Sequence, residues 1–138
     1  MMTTQKLDHM LALHAKWLKG EKDGVRAKLD HADLTDADLR SRDLRSISFR
    51  EADLRSADLR EANLKDCNLS GADLRGANLD GAVLHEVDLS HADLRGAFLE
   101  GADLDGADIW RANLFGAVIT PDKLHRVLGC VDPKKKTS

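Results

Sequence analysis

The sequence predicts an all-β solenoid, a four-sided parallel β-helix of about five coils, and three observations carry that reading. A large apolar residue returns at every fifth position from Leu29 to Ile119 without a break. A small residue stands two places before it, Ala in 15 of the 19 repeats. Four repeats depart from Ala, at Arg42, Ile47, Cys67 and Val87, and the three apolar or soft departures, Ile47, Cys67 and Val87, are twenty residues apart, the spacing of four repeats per turn.

The chain divides in order into residues 1–26, 27–120 and 121–138. In the first segment Leu7, Met10, Leu11, His14, Trp17 and Leu18 fall on one helical face, and Gly20 offers a stop before the loop GEKDG. This predicts a capping helix over the first coil, which a solenoid needs to cover core side chains and unpaired strand edges.

The middle segment follows from its period. On an α-helix a five-residue step advances about 500°, so the Leu residues would wander around the surface instead of forming a stripe. On a straight strand an odd step sends successive Leu side chains to opposite faces. Turning the chain once per repeat keeps every Leu inside. Each repeat is then a short extended side followed by a corner, and coils stack at ~4.8 Å. Glycine closes the later repeats, as at Gly71, Gly81 and Gly106, whereas earlier corners use Ser, Glu or Asp. Type II corners, which need φ > 0, are therefore expected mainly in the later coils. At the junction with the last segment Thr120 reads as the start of a second capping helix, with Pro121, Leu124, Val127, Leu128 and Gly129 as its first turn, apolar face and stop. A basic tail follows it.

The repeats ADLRS, ADLRE, ANLKD, ADLRG and ANLDG are similar to the A(D/N)LXX pattern of the pentapeptide-repeat family. The resemblance covers about two thirds of the chain and implies a right-handed, four-sided β-helix with Ala and Leu inside. It also opens one functional reading, because family members that protect type II topoisomerases from quinolones resemble DNA in charge and shape.

Composition excludes more than it assigns. The chain has 138 residues, a formal net charge of -3 and a third of its residues charged, without the strong basic excess of a nucleic-acid binder. Cys67 and Cys130 form neither a disulfide framework nor a zinc spacing, which points to a cytoplasmic protein. Residues 7–18 are too short and too interrupted by His9, His14 and Lys16 to span a membrane. A core of Leu and Ala leaves no substrate cavity, so no enzyme activity, cofactor or metal is expected. His31, His85, His91 and His125 read as solvated surface groups, His14 as a partly buried one and Cys67 as a buried structural thiol.

Two surface features carry the functional expectations. DLR recurs at Asp53 and Arg55, Asp73 and Arg75, and Asp93 and Arg95, which places an Asp ladder beside an Arg ladder for mutual neutralisation. Arg40, Arg45, Arg50, Arg55, Arg60 and Lys65 wrap the tube as a belt, so direct nucleic-acid binding is not expected. The second feature is GAFLEGADLDGADIWRANLFGAVIT, residues 96–120, where Phe98, Trp110, Phe115 and Val118 occupy outward slots. With Leu124, Val127 and Leu128 they mark a rod end covered either by the chain's own helix or by a second copy. The reading is a non-catalytic protein-interaction module, homodimeric through its C-terminal end. The alternative is a DNA-mimicking binder of DNA gyrase or topoisomerase IV. It draws on a stretch from Asp80 to Asp108 with eight acidic residues against one basic residue, Arg95.

Overall fold

In a computed structural model of the chain, described for residues 1–129, the five-residue beat forms the wall of a four-sided tube. The residue just before each inward Leu pairs in parallel with the residue twenty positions on: Asp33 with Asp53, Asp53 with Asp73, and so on up to Phe98 with Val118. The hydrogen bonds alternate in direction as a parallel ladder requires. Leu54 N donates to Asp73 O at 2.8 Å, and Asp73 N donates to Ala52 O at 2.9 Å.

Every inward Leu or Phe from Leu29 to Leu99 is at most 2 % exposed. Ile47, Cys67 and Val87 are buried with them, and the Cys67 Sγ donates to Leu44 O at 2.9 Å. Burial pushes the Cys67 thiol up to about 12, so it is held as a neutral filling group. Arg42 departs from the inward pattern for a local reason. It lies at the N-terminal rim, is exposed, and donates to Asp8 Oδ1 at 2.7 Å.

The corners correct one expectation. Each is closed by a bond from the Ala-position N–H back to the preceding inward residue, as in Ala52 N to Phe49 O at 3.0 Å. φ lies between 55° and 74° at every corner from His31 to Gly116 except Gly101. Positive φ is therefore not concentrated in the later coils. The corners from His31 to Asp66 adopt it without glycine, at a cost of about 1 kcal/mol each. Buried Leu side chains and ladder bonds on both sides of the corner fix the backbone there, and local propensity yields. Glycine is more constrained further on: a Cβ at Gly81 would run into the Glu61 carboxylate folded over it.

Two helices flank the tube. α1, Thr4–Leu18, begins where Thr3 accepts a bond from Lys6 N at 3.2 Å. It turns Leu7, Leu11 and His14 into the core, and Met2 N bonds Asp33 O at 3.0 Å. His14 is fully buried, more so than the sequence implies. Its Nδ1 accepts from Ala27 N at 3.0 Å and its Nε2 faces Arg45 O at 2.7 Å, a pairing that assigns the neutral tautomer with the proton on Nε2. Gly24 lies so close under α1 that a Cβ there would strike the Lys16–Trp17 backbone. α2, Pro121–Val127, starts from an extended Thr120 and carries Pro at its first turn, yet none of its residues is buried.

Candidate interaction surface at the C-terminal end

The DLR motif sets its own geometry. Asp and Arg flank an inward Leu, so both leave the same side of the tube two residues apart, within reach of each other. Arg55 forks onto Asp53 with Nε to Oδ1 at 2.8 Å and Nη2 to Oδ2 at 2.6 Å; Arg75 on Asp73 and Arg95 on Asp93 repeat it. The first two forks also reach across to the next coil, with Arg55 Nε at 3.9 Å from Asp73 Oδ2 and Arg75 Nε at 3.7 Å from Asp93 Oδ2. The Arg55 hydrogen bonds hold the Asp53 carboxyl at about 2, and those of Arg75 and Arg95 lower Asp73 and Asp93 likewise. In the belt, Arg40, Arg45 and Arg60 make the same forks onto Asp38, Asp43 and Asp58. The carboxylates thus offset much of the belt's positive field.

The apolar slots behave differently. Phe98 and Val118 are bridge partners on one side, and Phe115 projects just before the corner leading to that side, 83 % exposed. Trp110 stands on an earlier side and is 59 % exposed. Its ring is met edge-on by His91, with centroids 5.0 Å apart, and by the Arg111 guanidinium at 4.6 Å. α2 does not cover these groups. Phe98, Trp110, Phe115, Val118 and Leu128 all remain exposed, while Leu124 and Val127 are half-buried. Around them the inward residues of the last coil, Ile109, Leu114 and Ile119, are only partly buried.

α2 lies instead against the side formed by Gly101–Gly106, leaving a cleft of about 310 Å³ walled by Asp103, Leu104, Asp105, Lys123, Arg126 and Val127. The Lys123 ammonium donates to Glu100 O at 2.5 Å and Ala102 O at 2.6 Å, carbonyls at the end of the wall. Beside this cleft the fold makes a grouping that the sequence reading missed. His85 Nε2 meets Asp103 Oδ2 at 2.6 Å, with Asp105 adjacent. The His85 contact holds the Asp103 carboxyl below the usual range. A twenty-residue step places Asp105 over His85, so asking which polar residues lie 18 and 20 positions after each His would have found it. His31 likewise has a partner, Glu51, at 3.3 Å across one coil. Cys130 lies outside the described residues. No helix among the described residues is long and apolar enough to cross a membrane.

A family model described as pentapeptide repeats matches in eight copies over residues 26–55, 47–85 and 82–120. Among solved structures, the chain is similar to a pentapeptide-repeat protein of the Arabidopsis thaliana thylakoid lumen. Their identity is 28 % and the TM-score 0.72, with 76 % of this chain and 73 % of that one covered. It is 38 % identical to HetL, a pentapeptide-repeat protein involved in heterocyst differentiation regulation from the cyanobacterium Nostoc sp. strain PCC 7120. That match has a TM-score of 0.38 and covers 70 % of this chain but only 50 % of HetL. Full-length QnrB1, a plasmid-mediated fluoroquinolone resistance protein, is 19 % identical with a TM-score of 0.32, and 76 % and 70 % of the chains are covered. The last two superpose too loosely to carry any functional argument. No curated protein matches significantly. Pentapeptide-repeat neighbours form right-handed quadrilateral β-helices, and the twenty-residue bridge register seen here is that of four five-residue sides per coil. On its repeats, its register and the extent of the match, this chain belongs to the pentapeptide-repeat family.

Proposed function

We propose that the protein is a non-catalytic, rigid interaction module of nearly five coils that pairs with a second copy through its C-terminal end. One observation carries this reading. The last coil leaves Ile109, Leu114 and Ile119 partly exposed, next to outward Phe98, Phe115 and Val118, which stay exposed beside α2. An apolar surface of that kind on a polar rod is stabilised by contact with a matching surface, and a two-fold axis supplies one from a single sequence. In the same reading α1 is the cap of the other end, and the cytoplasmic location rests on the cysteine usage. Light scattering tests the pairing. The wild-type chain is expected at twice its monomer mass and the Trp110→Asp variant at the monomer mass; a monomeric wild type overturns it.

The anionic stretch from Asp80 to Asp108 supports a second reading, a DNA-mimicking binder of DNA gyrase or topoisomerase IV. It requires the purified protein to change supercoiling or to rescue it from a quinolone. No effect at micromolar protein removes that reading.

A further inference from the structure

We propose that His85, Asp103 and Asp105 bind one divalent transition-metal ion of the zinc, cobalt or nickel class on the tube wall beside the α2 cleft. The wall supplies the placement. Asp103 and Asp105 flank the buried Leu104, so both side chains leave the same side. The parallel register that pairs Val83 with Asp103 sets His85 under Asp105, and Glu86 N bonds Asp105 O at 3.0 Å to hold it there.

One donor atom from each of the three residues lies within 4.8 Å of the other two. A tetrahedral ion with bonds of about 2.0–2.2 Å needs ligand atoms roughly 3.4 Å apart, so modest side-chain rotation on a fixed backbone suffices. The donor chemistry selects the ion. An imidazole favours zinc, nickel and cobalt over magnesium and calcium, and two carboxylates match the double charge. Lys123 and Arg126 are the opposing charges along the cleft wall, and the Lys123 ammonium is engaged by Glu100 O and Ala102 O. Three protein ligands leave a coordination position to water, as expected of a partly exposed site.

The competing account is a surface ion pair between His85 and Asp103 alone, in which Asp105 plays no part. Calorimetric titration with ZnCl2 of tag-free protein in a Cys130→Ser background separates the two, with CoCl2 absorption reporting the ligand field. The expected result is one equivalent of zinc, with affinity unchanged in His91→Ala. It falls by more than about tenfold in Asp105→Asn and His85→Ala, since even groups outside the ligand set cost that much when lost. Binding that survives either of those two substitutions, or no zinc binding at millimolar metal, overturns the proposal. Circular dichroism of each variant confirms the fold, which these wall positions do not support from inside.

Discussion

At the N-terminal end Leu29, the first inward residue, is 1 % exposed beneath a 15-residue helix, whereas at the other end Leu114 and Ile119 stay half-open beside a helix of seven residues. The repeats at the two ends are alike, so the difference lies in what finishes them. α1 is long enough to set Leu7, Leu11 and His14 on one face, and His14 satisfies two backbone groups of the first coil while excluding water. α2 spans about two turns and reaches one side of the tube. A terminus is closed by the number of apolar side chains laid over it and by the edge groups they satisfy, not by the presence of a helix as such.

The largest effect should separate the ends by core truncation. Leu39→Ala, at a fully buried position, is expected to cost about 3–5 kcal/mol, against about 1 kcal/mol for Ile119→Ala in monomer, read by denaturant unfolding. Equal costs would mean the last coil is as tightly packed as the first. Next, His14→Ala strands Ala27 N–H and Arg45 O in the interior, and about 2–4 kcal/mol should be lost. A loss below about 1 kcal/mol would show that water replaces the imidazole and that the seal is looser than its geometry.

The sequence carried the period and the four-sided register because every side of the tube meets the same demand, one Leu and one small residue inward. It misled where a local rule competes with that lattice. Glu51, Ser56 and Glu61 hold φ > 0 because their neighbours are fixed, so glycine content says little about corner type. Phe98, Phe115 and Val118 could be read as outward, but their exposure depends on where a seven-residue helix lies, which its own pattern does not fix. His85 joins Asp103 and Asp105 only through the coil register, a relation invisible to a search among histidines alone.

Acid should narrow the contrast between the ends. The folded-state carboxyl values of Asp38, Asp43, Asp53 and Asp58 are lowered, chiefly by their Arg hydrogen bonds, and the same holds for Asp73 and Asp93 further along. A lowered value means the stabilisation is complete above the ordinary carboxylate range. It is lost as pH falls through that range toward about 2, the value of Asp53. Melting temperature should therefore stay level from neutral pH to about 5 and fall modestly below about 4, with the Arg-paired coils losing more than the last one. A fall that is complete above pH 5 would contradict this origin. The smallest change is a gain: Ser56→Gly relieves φ of 55° and should raise stability by about 0.5 kcal/mol, since glycine's entropy cost offsets part of the relief.

Hydrogen exchange followed as a function of protein concentration tests the central contrast most directly. Amides between Leu29 and Leu44, sealed by the chain itself, should exchange at the same rate at every concentration. Those between Ile109 and Ile119 should gain protection as concentration rises and a second copy covers the open coil. Protection at 109–119 that is strong and independent of concentration would contradict the account.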